Sequence, residues 1–216
     1  MKSDLLVRIV RNYDYPDLFR QTPGGLGIWD NIKFTEEEID NPDYIIILNK
    51  PNNDIIVYCN PENIWSIMQE APVKAYKKYH KGGKNIARIY TSDKKFIDKN
   101  HVHSFPALPW HIDFDYDELI SFSMPPKKKT LSCVLSNKYY LKGHKKRFDF
   151  INSIKSKIEF DVFGKGVNYV DNKWDALAPY KYSIAIENFS NEKYWSEKIS
   201  DCYLSWTMPI YFGCTK

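Results

Sequence analysis

Short, continuous apolar runs separated by polar or Pro- and Gly-rich stretches dominate the chain, and runs of that kind predict buried strands rather than amphipathic helices. In order, they predict strands over Leu5 to Val10, Tyr44 to Leu48, Asp54 to Tyr58, Ile64 to Gln69 and Ile86 to Thr91. Further on, they predict strands over Thr130 to Ser136, Ile158 to Phe163, Tyr180 to Asn188 and Pro209 to Gly213. Strands apolar on both faces suit parallel sheets covered on both sides. Helical spacing is found in three places. One helix is predicted over Val73 to His80, one carries an apolar stripe at Phe148, Ile151 and Ile154, and one aligns Trp195, Ile199, Cys202, Tyr203 and Trp206. A polar stretch, Asn137 to Lys146, precedes the second helix, and the turn Phe189 to Glu192 precedes the third.

The last strand, helix and strand form a β-α-β unit, which belongs in a parallel sheet. Ligands of such sheets lie at the carboxyl ends of the strands, where helix N-termini direct free N–H groups at anions. The pattern restarts at Lys129, after the basic run Pro126 to Lys129, which is expected to be a solvated linker. This places a domain boundary there, with domains of residues 1–125 and 126–216.

With 216 residues, 43% of them hydrophobic and 16% aromatic, the chain can bury a substantial core, which excludes a disordered segment. The net charge of +4 is mild and scattered, unlike that of a nucleic-acid binder. No stretch has the roughly 18 apolar residues of a membrane span, and Arg8 interrupts the apolar start, so no signal peptide is read there. These features predict a cytoplasmic protein. The cysteines (Cys59, Cys133, Cys202 and Cys214) follow no zinc or disulfide spacing and are expected as free thiols. His101 and His103 fall on one side of a strand with no ligand partner at metal spacing, so no metal site is expected. His111, beside Trp110, can line a site, but its pattern does not assign it one. The glycines of Pro23 to Gly27 lack the Lys-Ser/Thr of a phosphate loop and predict a plain loop.

Tyr180-Lys181, Glu187-Asn188, Tyr194, Ser196-Glu197-Lys198, Asp201, Ser205 and Pro209-Ile210-Tyr211 stand at fixed spacing. Together they resemble the donor-binding motif of the α-1,3/1,4-fucosyltransferases, glycosyltransferase family ten. Two further elements resemble the family: Glu70-Ala71-Pro72, similar to its Glu-x-Pro after a strand, and Arg147 within Lys145-Lys146-Arg147, at the start of a helix leading to Asp161-Val162-Phe163-Gly164-Lys165-Gly166.

The resemblance implies an α/β fold with two facing Rossmann-like domains of the GT-B type and the site between them. It implies an inverting transfer of L-fucose from GDP-fucose to a glycan hydroxyl, with Glu70 as general base. Arg147, Glu187, Asn188, Tyr194, Glu197 and Lys198 would hold the donor, Arg147 and Lys198 at the diphosphate, without cofactor or metal. The same residues leave open a relative using another nucleotide-sugar, or a non-catalytic nucleotide- or carbohydrate-binding remnant. Phe212-Gly213-Cys214-Thr215-Lys216 departs from the family's pattern after the last strand. Family members continue well past this point, so the resemblance implies an incomplete second domain, for which a homo-oligomer or a completing chain would be the partner.

Overall fold

A computed structural model describes residues 4–136 and 139–216, so the predicted polar stretch begins, at Asn137, outside the described residues. The chain divides into two compact units, Met1–Pro109 with Asp115–Asp117 and Trp110–Phe114 with Glu118–Lys216.

The first unit is built on β1 (Leu5–Val10), β2 (Ile28–Trp29), β3 (Ile32–Thr35), β4 (Tyr44–Leu48), β5 (Ile64–Ile67), β6 (Arg88–Thr91) and β7 (His101–His103). They form one sheet in the order β2-β3-β1-β4-β5-β6-β7, parallel throughout except for the β2–β3 pair. The apolar runs explain the inner strands. Ile45 and Ile47 of β4 and Ile89 of β6 are buried, and Met68 follows β5 into the same core.

Several expectations for this unit are corrected. Asp54 to Tyr58 is not a strand. Both edges of β4 are already taken, by β1 and β5, and the segment lies apart, with Tyr58 N–H bonded to the Asp40 carbonyl and Ile56 exposed. The β2–β3 hairpin is too short for a periodic signal. The helix expected over Val73 to His80 is a 3-10 turn, Lys74–Tyr76, running into the short α1 (Lys77–Lys81), which ends where Gly82 takes φ +71°. β5 stops at Ile67, so Glu70 stands on a loop beyond the strand.

After α2 (Tyr116–Ser121), the second unit holds β8 (Lys129–Val134), α3 (Lys142–Lys155), β9 (Asp161–Phe163), β10 (Tyr180–Ile186), α4 (Glu197–Leu204) and β11 (Met208–Phe212). Its four strands are all parallel, in the order β11-β10-β8-β9. Alternate residues of β10 face opposite sides. Ile184 packs with Cys133, Val162 and Ile151 of α3, and Ala185 packs with Leu177, Ile112 and Cys202 of α4. The two helices thus cover opposite faces. On the α3 side of β11, Met208, Ile210 and Phe212 are 58%, 51% and 60% exposed.

Three expectations change in this unit. The basic run is no solvated linker. The Lys127 ammonium donates to the Ala178 and Ser205 carbonyls, both at 2.8 Å, and Lys129 opens β8 and pairs with Asp161. The strand predicted from Ile158 shrinks to β9, leaving Ile158 exposed. The predicted apolar face of α4 fails at Tyr203 and Trp206, which point outward. The helix ends earlier than its spacing suggested, because Trp206 takes φ +53° and closes it. Trp206 N–H bonds the Tyr203 carbonyl and Thr207 N–H bonds the Cys202 carbonyl, a Schellman motif. The buried face is Asp201, Cys202 and Ser205 instead. All four cysteines are free.

Candidate functional site

The carboxyl end of β10 runs directly into Glu187, whose carboxylate is buried and already committed. It accepts from Ser196 N–H at 2.7 Å and from the Ser196 hydroxyl at 2.6 Å, and it lies 3.3 Å from the Lys198 ammonium. Ser196 is the residue immediately before α4, so Glu187 fixes where that helix begins. Gly213 is required at this point because a Cβ there would stand 2.4 Å from Glu187 Cγ. The structure therefore places Glu187 behind the helix terminus, orienting Lys198, rather than at an open surface.

Lys198 spreads its three donors over Ser196 Oγ (2.8 Å), Glu197 (3.2 Å) and Glu187 (3.3 Å), at the positive end of the α4 dipole. Burial alone would raise the Glu197 carboxyl, but Lys198, Lys173 and His111 outweigh it and hold Glu197 far below the usual carboxylate range. Lys173 and His111 are contributions that sequence reasoning missed or left unassigned. Lys173 pairs with the fully buried Asp201 at 2.6 Å. Burial disfavours its charge, but Asp201 and Glu197 reverse that and raise it to about 12. His111 N–H donates to the other Asp201 oxygen at 2.8 Å, and burial pushes its imidazole below the ordinary histidine value. Lys173 lies on a 3-10 turn with no periodic signal to mark it, whereas Asp201 stands in the recognised motif.

Arg147 approaches from α3. The helix begins at Lys142, so Arg147 sits in its second turn and not at its start, and it is 5% exposed rather than part of a solvated basic segment. Its Nη2 donates to the Ser136 hydroxyl at 3.0 Å, and among the described residues its buried Nε has no partner. Burial pushes the guanidinium down from its ordinary value, while Cys133, Glu197, Glu187 and Tyr194 favour its charge. The start of α3 meets Asn188. A Cβ on Gly143 would stand 1.6 Å from the Asn188 carbonyl oxygen, a contact only glycine allows, and among the described residues the buried Asn188 Oδ1 has no partner. Tyr194 is buried, its N–H bonded to Asn191 Oδ1 at 2.6 Å and its ring edge-on to Phe189. Arg147, Glu187, Asn188, Tyr194, Glu197 and Lys198 thus gather within the second unit. Glu70 belongs to the first unit, its N–H bonded to Asn49 Oδ1 at 3.3 Å. Among the described residues, no three His, Cys, Asp or Glu form a metal-binding group, and no helix is long and apolar enough to cross a membrane.

Two predictions follow from this packing. Gly143→Ala should lower stability by about 1–3 kcal/mol through overpacking against Asn188, read as a reduced midpoint in chemical denaturation. Stability should also fall on acidification in two stages. The depressed pKa of His111 stabilises the fold above the unfolded histidine value, about 6.5, and that contribution is lost as pH falls below it. The depressed pKa of Glu197 contributes above the unfolded value, about 4.3, and is lost at lower pH. The raised pKa of Lys173 contributes below about 10.4 and is lost only in strong alkali. Thermal unfolding midpoints should be highest between about pH 7 and 8 and fall above about pH 8.5, because burial pushes the Cys133 and Cys202 thiols up to about 12 in the fold. His111→Gln should reduce the first acid step, to which the buried His80 also contributes.

Parallel strands covered on both faces, with polar residues collected where β10 meets α4, define an α/β protein of the Rossmann-like, GT-B fold class. Residues 124–216, which make up most of the second unit, match the model described as glycosyltransferase family 10 (fucosyltransferase) C-terminal domain. A Helicobacter pylori alpha-(1,3)-fucosyltransferase, FucT, is 37% identical over 67 residues, 31% of this chain and 14% of that protein's length. Crystal structures of an alpha1,3-fucosyltransferase share the fold. One superposes with a TM-score of 0.56 at 17% identity, covering 100% of this chain and 70% of that one. Another, with GDP-fucose, gives 0.52 at 17% identity over 99% of this chain and 70% of the other.

Proposed function

We propose that the protein is an inverting glycosyltransferase that moves L-fucose from GDP-fucose to a hydroxyl of a glycan acceptor. The observation that carries this reading is Arg147, a buried guanidinium whose described hydrogen-bond partner is one neutral hydroxyl, within electrostatic reach of Glu187, Tyr194 and Glu197 around the α4 terminus. Glu197 and Glu187 offset only part of the burial cost of this cation, which lowers its pKa below the ordinary value, and a diphosphate adds a counter-charge at its Nε, unpartnered among the described residues. The family match of the second unit and the neighbour crystallised with GDP-fucose support GDP-fucose as the donor.

In this reaction the acceptor oxygen attacks the anomeric carbon from the face opposite the diphosphate. The new C–O bond forms as the bond to the phosphate oxygen breaks, so a β-linked donor gives an α-fucoside. Glu70 takes the acceptor proton. Arg147 grips the departing diphosphate in a bidentate way, and Lys198 turns one donor from its carboxylate partners to a phosphate oxygen. Glu197, kept ionised, accepts from ribose or sugar hydroxyls. Asn188 and Tyr194 line the donor, and Glu187 acts through Lys198. These cations neutralise the leaving group without a metal or other cofactor.

The test is incubation with GDP-fucose and a panel of oligosaccharides, with and without a chelator. Chelator-insensitive formation of GDP and an α-fucosylated product is expected, and absence of transfer with every acceptor would overturn the reading.

A further inference from the structure

We propose that Asn49 is the positioning residue for Glu70, holding the loop that carries the base through its side-chain amide. This rests on Glu70 as the acceptor base. Asn49 follows β4 directly, and its backbone is turned into the left-handed region at φ +62°. Its N–H donates to the Ile67 carbonyl at 2.9 Å, at the end of the neighbouring strand β5. Its Oδ1 then accepts from two successive N–H groups beyond that strand, Gln69 at 2.9 Å and Glu70 at 3.3 Å. The side chain thus replaces the missing strand partner over the two residues that aim the Glu70 carboxylate.

The rest of the loop is tied from other sides. Met68 N–H bonds the Tyr90 carbonyl at 2.9 Å, and Gln69 Oε1 accepts from the Tyr13 hydroxyl at 2.7 Å while its amide donates to the Ala107 carbonyl. Asn49 is the side chain that reaches the backbone N–H groups of both Gln69 and Glu70.

The chemistry singles out asparagine. Residues that adopt the left-handed region without large cost are glycine, asparagine and aspartate. Glycine has no acceptor for the two N–H groups, and aspartate would set a second carboxylate beside the base. Asparagine alone combines the backbone turn with a neutral acceptor, so Glu70 is fixed in direction without a neighbouring negative charge.

The experiment pairs Asn49→Gly with Asn49→Asp in the full chain. Asn49→Gly keeps the turn and removes both bonds, so kcat is expected to fall tenfold or more, with GDP affinity close to that of the parent and a lowered but still cooperative thermal transition. Asn49→Asp keeps the acceptor, so it is expected to recover most of that kcat at high pH while moving the acid limb of the kcat/KM profile to higher pH. An Asn49→Gly protein with undiminished kcat would overturn the inference. If that variant does not fold, the profile of Asn49→Asp decides, and an unshifted acid limb overturns it. Activity retained in Glu70→Gln marks failure of the base assignment itself, whereas an inert Glu70→Gln beside a fully active Asn49→Gly marks failure of this inference alone.

Discussion

Replacing Glu70 by glutamine is expected to lower kcat for transfer by about a hundred- to ten-thousand-fold, the usual contribution of a positioned general base. Glutamine keeps the shape and the backbone bond to Asn49 and removes only the ability to take a proton. The residues assigned to the donor lie in the other unit, which has its own core, so GDP affinity should stay within about twofold, as for sites that share no partners. Calorimetric GDP binding beside initial-rate measurements separates the two outcomes. Loss of both together would make Glu70 a structural residue, and retained turnover would remove it from the mechanism.

Lys198→Ala should have the second largest effect. Its ammonium joins the end of β10 to the first turn of α4 and is the cation best placed at that helix N-terminus. A charge-assisted hydrogen bond contributes about 1.5–3 kcal/mol, so donor affinity should fall about ten- to hundredfold. The variant also leaves Glu187 and Glu197 without their ammonium, adding repulsion towards an incoming diphosphate. Affinity should therefore fall more for GDP than for guanosine, a comparison that tests the phosphate assignment directly. Equal losses for both ligands would instead place Lys198 in the framework of the helix.

Much of this site was legible in the sequence because its members are close in the chain. Glu187, Tyr194, Glu197 and Lys198 are spaced by one strand end, one turn and one helical turn, so local pattern sufficed to group them. The parallel sheets were legible for the same reason, since strands such as Tyr44–Leu48 and Tyr180–Ile186 are apolar on both faces. What escaped depends on tertiary context. Lys173 and His111, both anchored on the buried Asp201, act on Glu197 from distant parts of the chain, and neither carries a local signature. The burial of Arg147 could not be foreseen in a run of basic residues that resembles a solvated turn. The expected inward placement of Tyr203 and Trp206 fails because a left-handed Trp206, unusual for a bulky residue, ends α4 where spacing alone continued it. Asp54 to Tyr58 has the composition of a strand, yet it finds no free edge beside β4.

The measurement that tests the central claim most directly is calorimetric titration of the chain with GDP, in parallel with UDP and ADP, repeated on Arg147→Ala. The account predicts selective binding of GDP, with affinity lost or greatly reduced when the buried guanidinium is removed. Equal binding of all three nucleotides, or GDP binding indifferent to Arg147, would contradict it.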